Sequence, residues 1–179
     1  MKSMLTDSDY FAIGSLHVKI HVCEVFLKSA LDFGLSSKTH GSSTAQKLTL
    51  GQLIAALKKK VEVHQALIDL LSRFLQSRND FAHNISKIPG VDFGTEQGVN
   101  NLRGFLESLD EDTDVVLNVF AAVMYRWQKL NFPDFESEPE AKQILDKTFA
   151  LHGPNLDQYF SIRSEVLEPK KNSNKKKKR

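Results

Sequence analysis

Wherever this chain carries enough apolar residues to build a core, they recur at intervals of three and four, and no segment sustains an alternation of two. From Leu67 they fall at Leu67, Leu70, Leu71, Phe74 and Leu75, then Phe81, Ala82 and Ile85. One face of a helix repeats every 3.6 residues and one face of a strand every two, so the pattern demands helices packed on helices. With no hairpin signals, a mixed sheet is not expected. The predicted architecture is all-α, an up-and-down bundle of about five or six helices.

Stop and start signals divide the pattern. A first helix is predicted to begin after Asp7, Ser8 or Asp9, to bury Ile13, Leu16, Ile20, Cys23, Leu27 and Leu31, and to end before Gly34. Gly34 to Thr44 reads as a loop. Thr49, with Gln52 three residues on, has the spacing of a capping box and opens a second helix that runs to Lys58-Lys59-Lys60. The third spans roughly Val61 to Ser86 and is stopped by Pro89-Gly90. Val99, Leu102, Phe105, Leu106 and Leu109 continue in period with Val115 to Leu130 across an acidic run, Asp110 to Asp114. That run is compatible with a break or with an exposed turn of one long helix. Ser137-Glu138-Pro139-Glu140 starts a further helix through Ile144, Leu145 and Phe149, and Asn155 to Val166 forms a shorter one.

The 179 residues, 41% of them hydrophobic, suffice for one domain with a sizeable core. We expect it over residues 1–168, followed by a disordered basic tail at 169–179. Lys170, Lys171, Lys175, Lys176, Lys177, Lys178 and Arg179 supply seven of the 24 basic residues, leaving 17 against 22 acids in the body. Such a tail buries no apolar surface, and either attracts nucleic acid, with those seven residues as its RNA-binding set, or only aids solubility. The lone Cys23 excludes an internal disulfide framework. No apolar run of signal-peptide type or of membrane-spanning length is apparent, so a cytoplasmic protein without membrane contact is expected.

Within the third helix Arg78 falls on the apolar seam, in the run Ser77-Arg78-Asn79-Asp80-Phe81-Ala82-His83-Asn84. A guanidinium facing a core must be paired or open onto a cleft. Asn79 and His83 are i,i+4 neighbours, so the amide can orient the imidazole while Arg78 reaches the same spot. Asp80 either orients His83 from three residues back or faces solvent.

Arg78, Asn79 and His83 resemble the R-x4-6-H signature of the HEPN superfamily, with Asn79 as the polar residue after the Arg. Thr49 to Ile54 and the helix after it extend the resemblance over roughly the middle half of the chain. It implies an all-helical fold and a metal-independent ribonuclease of toxin-antitoxin, phage-defence or CRISPR systems. It also implies a homodimer acting on RNA, and a partner such as an antitoxin or another defence protein. Ile85 stands where toxins paired with nucleotidyltransferase antitoxins commonly carry Tyr, which separates this chain from that subgroup.

The chemistry agrees with those residue types. Metal-free RNA cleavage by a 2′-hydroxyl needs proton removal, proton delivery and stabilisation of charge on the phosphoryl oxygens. A histidine with a pKa near ~6.5 serves either proton role, and a permanently charged, forked Arg suits the phosphate. One His per chain is short of a separate acid and base, and two copies face to face supply both. The competing readings are a catalytically inactive RNA-binding or regulatory interaction module, and a structural motif in which Arg78 pairs with Asp80 or Asp69.

Elsewhere His17, His21 and Glu24 form an i, i+4, i+7 ridge, read as a solvated face with Lys28 because no fourth metal ligand is apparent. Trp127, in period with Val123, Met124 and Leu130, reads as core. Walker-type loops, nucleophile elbows and cysteine-histidine metal spacings are absent from the sequence, so neither a cofactor nor a metal is expected.

Overall fold

The computed structural model describes residues 3–34, 47–132 and 139–162. Helix α1 spans Asp7–Ser29 and continues into a π-helical turn, Ala30–Gly34. It is followed by α2 (Leu50–Lys60), β1 (Val61–Val63), α3 (Gln65–His83) and α4 (Glu96–Asn131). Then come α5 (Pro139–His152), α6 (Leu156–Tyr159) and β2 (Phe160–Ile162). The chain is an all-α helical bundle, as the periodicity demanded.

Local chemistry accounts for the helix starts. Thr6 caps α1, one residue before Asp7, the first of the Asp and Ser candidates. Its hydroxyl accepts from the Asp9 amide at 3.3 Å while the Asp9 carboxylate accepts from the Thr6 amide at 2.8 Å. Thr49 and Gln52 form the reciprocal pair expected at α2, at 3.4 and 2.9 Å. The α1 stripe is buried at Leu16, Ile20, Cys23, Leu27 and Leu31. Burial, with Glu24 adjacent, pushes the Cys23 thiol up to about 12, so it remains protonated at neutral pH.

The acidic run does not break α4, which is one helix of 36 residues. Three of its acids meet cations from neighbouring helices. Lys19 of α1 lies 2.7 Å from Asp110 and 2.8 Å from Asp114. Burial alone would lower the Lys19 ammonium, but those two carboxylates hold it above its ordinary range. Buried Asp112 accepts from Arg73 Nε and Nη2 of α3 at 2.7 and 2.6 Å. Nearer its start, α4 sends Arg103 to the α1 cap, where Nε and Nη2 reach the two Asp9 oxygens at 2.7 and 2.9 Å.

Four expectations are corrected. A two-stranded antiparallel sheet is present, with Val61 opposite Ile162 and Val63 opposite Phe160. Val61 and Phe160 are buried, and the Phe160 ring lies 6.1 Å from that of Phe120. Three-residue strands are too short to show period-two alternation, so no sequence signal announced them. For the same reason α3 starts at Gln65, capped by His64 whose Nδ1 accepts from the Ala66 amide at 3.3 Å, and the helix expected over Asn155 to Val166 is, among the described residues, the turn Leu156–Tyr159 followed by the strand Phe160–Ile162, its remainder lying outside them. Lastly, α1 with its π turn, Asp7–Phe33, is long and apolar enough by length and composition to cross a membrane. It carries apolar residues on its outward face as well as its core face. The loop expected over Gly34 to Thr44 lies, beyond Gly34, outside the described residues. So do Ser137-Glu138 and the tail from Lys170 to Arg179.

Removing Arg73 leaves the Asp112 carboxylate buried without its cation, so Arg73→Met is expected to cost about 2 kcal/mol in urea unfolding followed by circular dichroism. Asp112→Asn in that background should recover part of the loss, since the neutral amide desolvates more cheaply. The Arg103 guanidinium, helped by Thr6, holds the Asp9 carboxyl well below the usual carboxylate range. A depressed folded value adds stability above the unfolded pKa, about 3.9, that is lost as pH falls through the folded value. Asp9→Asn is therefore expected to flatten the decline of stability below about pH 4 in acid titrations.

Candidate functional site

Helix α3 ends at His83, and the residues of its last turns point to different neighbours. Arg78 turns toward α1, where Nε and Nη2 approach the same Glu24 oxygen at 3.0 and 2.8 Å. Its Nη1 donates to Asn79 Oδ1 at 3.3 Å. Arg78 and Asn79 thus meet, but the amide oxygen is engaged by Arg78 and makes no hydrogen bond to His83, the residue it was expected to orient. The cation is paired, but with Glu24, not with Asp80 or Asp69. Asp69 accepts from Gln65 at 2.7 Å and Asp80 from Gln76 at 2.9 Å, each one helical turn away along α3.

Around the ion pair lies a cavity of about 150 Å³ lined by His17, Ile20, His21, Glu24, Arg78 and Phe81. The His17 ring packs against Phe81, centroids 6.4 Å apart. Both Glu24 and Arg78 are largely covered, with side chains 14% and 26% exposed, so their attraction acts in a medium less screening than water. His83 does not line this cavity. Five residues after Arg78 it lies about 140° further round the helix, exposed at the α3 C-terminus. Two imidazoles from α1, rather than His83, are therefore the histidines beside Arg78 within one chain.

His17, His21 and Glu24 belong to the site although their i, i+4, i+7 ridge reads in sequence as a solvated face. The ridge itself was visible. What the sequence lacked was the approach of α3, which covers one flank of that face and supplies a cation to Glu24. Among the described residues no group of three His, Cys, Asp or Glu has the arrangement to hold a metal ion. Trp127, expected in the core, is instead half-buried outside it: its ring lies 5.2 Å from Phe33 and 5.5 Å from the exposed Phe132, and it lines a surface groove with Val25 and Phe26.

No protein-family model, curated protein or solved structure matches this chain. The site is consequently read from its own geometry: a guanidinium held by one carboxylate and one amide, two imidazoles on the same cavity wall, and a third at the helix end.

If the Glu24–Arg78 pair joins α1 to α3 in this partly covered setting, a double-mutant cycle of Glu24→Ala and Arg78→Ala should give a coupling of about 1–2 kcal/mol in chemical unfolding. A coupling near zero would mean that the two side chains are solvated independently.

Proposed function

We propose that this protein is a metal-independent endoribonuclease of HEPN type, acting as a toxin or antiphage effector in the cytoplasm, with a composite active site formed by two copies of the chain. The observation that carries the reading is Arg78, placed with Asn79 at the edge of a histidine-lined cavity five residues before an exposed His83. In this mechanism Arg78 holds the scissile phosphate, since its forked donors match two phosphoryl oxygens. His83 of one copy removes the 2′-hydroxyl proton and His83 of the second protonates the departing 5′-oxygen. Asn79 orients Arg78 through the contact it already makes, and Asp80, at the surface beside them, is the secondary candidate. The seven basic residues between Lys170 and Arg179 add affinity without sequence preference. A companion antitoxin or defence protein would act by covering this site.

One observation favours a second reading, a catalytically silent RNA-binding or regulatory module. Glu24 occupies the guanidinium that a phosphate would need, and an RNA phosphate must displace that carboxylate to engage Arg78.

Cleavage is expected to persist in EDTA and to leave a 2′,3′-cyclic phosphate and a 5′-hydroxyl, read by end-labelling of the products. His83→Ala and Arg78→Ala should each lower the rate by ~10²–10⁴ with the helical dichroism intact. Glu24→Gln should tighten RNA binding by releasing Arg78. Loss of less than tenfold on His83→Ala would remove that residue from the chemistry, and RNA binding without any cleavage would establish the silent module.

A further inference from the structure

Helix α1 is apolar on two opposite faces. One is buried against α4, while the other exposes Phe11 (76%), Val18 (63%), Val22 (39%) and Val25 (46%). Those four residues share one side of the helix, and Gly14 lies among them with nothing within 4 Å of where its Cβ would stand. A stripe of this length on the outside of a folded domain marks a surface that another surface covers.

We infer that a second copy of this chain covers it, with two α1 helices packed antiparallel about a two-fold axis at Val18. The two ends of the stripe differ in shape, and they differ in a complementary way. Seven residues before Val18 stands Phe11, a protruding ring. Seven residues after it stands Val25, on the rim of an apolar groove of about 360 Å³ whose floor includes Phe26, Met124 and Trp127. A two-fold at Val18 sets every residue opposite the one equally far beyond the axis, so the Phe11 ring of each copy enters the groove of the other. The same operation places Val22 over the space left by Gly14. It also brings Lys28, near the C-terminus of one α1, beside Asp7 in the first turn of the other, so the charged ends attract. A parallel pairing would set Phe11 against Phe11 and leave both grooves empty. The shape complementarity is therefore isologous, the form a closed dimer requires.

This surface has a consequence for the composite site, and that consequence alone rests on the ribonuclease reading. A two-fold lying in the interface and perpendicular to the helices keeps corresponding flanks on the same side. His21 and Glu24 border the stripe on the flank facing α3, so the Arg78 cavities of both copies open onto one side of the dimer.

The full chain should scatter light as a dimer at concentrations on the order of tens of micromolar, and Val18→Glu, which sets like charges against each other at the axis, should halve the mass while its circular dichroism stays unchanged. Under mild oxidation Val18→Cys should form a disulfide-linked dimer. Phe11→Cys should not, because the two Phe11 positions stand about 21 Å apart along the paired helices. Wild type is the control, its Cys23 being fully buried. A monomeric wild type, a dimer that survives Val18→Glu, or cross-linking through Phe11→Cys would each overturn the inference. So would a monomer that sediments with phosphatidylcholine–phosphatidylglycerol vesicles, which would assign the stripe to a membrane surface. Absence of RNA cleavage with the cross-linking pattern intact would remove the ribonuclease reading and leave this interface standing.

Discussion

Neutralisation of the acidic run in α4 by cations from two other helices is the interaction on which the rest of the bundle depends. Four acids within five residues would repel one another in an isolated helix, and a break at Asp110 to Asp114 would split the spine of the fold. Lys19 bridges two of them one helical turn apart, and Arg73, itself largely exposed, reaches the buried Asp112 carboxylate with two donors. The outcome is a continuous helix of 36 residues, about 54 Å long, against which α1 and α3 are fixed in register. Arg103, reaching back to Asp9, fixes the start of α1 in the same way.

That register sets the candidate site. With α1 held by Lys19 and α3 by Arg73, Glu24 and Arg78 come together a little further along both helices, and their ion pair closes a cavity whose other walls are two histidines and Phe81. The pair has two effects of opposite sense. It lets a guanidinium sit partly covered at modest cost, which an unpaired cation could not do. It also sets a carboxylate where an anionic ligand would bind, so any role for Arg78 in holding phosphate includes an exchange of one anion for another. Helix α1 contributes to this site from one flank while a second flank stays open along Phe11, Val18, Val22 and Val25. The same helix thus serves the core, the cavity and the outer surface, which explains why it is apolar on two opposite faces with the His17, His21, Glu24 ridge between them.

Much of this could be read from the residues themselves. The helical class, the buried stripe of α1, the Thr49 cap and the seam that carries Arg78 follow from spacing and capping chemistry, because 3.6-residue periodicity and side-chain oxygens at helix starts are local properties. The need for Arg78 to be paired was equally legible, since desolvation of a charge is costly wherever it occurs. The partner was not. Asp69 and Asp80 were the near acids along the chain, but Glu24 lies 54 residues away in sequence and is nearer in space. The strands Val61–Val63 and Phe160–Ile162 were hidden for a related reason, each being stable only against the other.

The sequence by itself determined that the chain is helical, that α2 begins at the Thr49 cap and which face of α1 enters the core, because those properties belong to residues within a turn or two of one another. Only the tertiary structure decided whether the acidic run was a break or a helix, which carboxylate answers Arg78, and which apolar face of α1 was left outward. Each of those outcomes turns on the approach of charges or surfaces from distant parts of the chain, and Coulombic attraction and burial depend on distance in space, which local spacing does not encode.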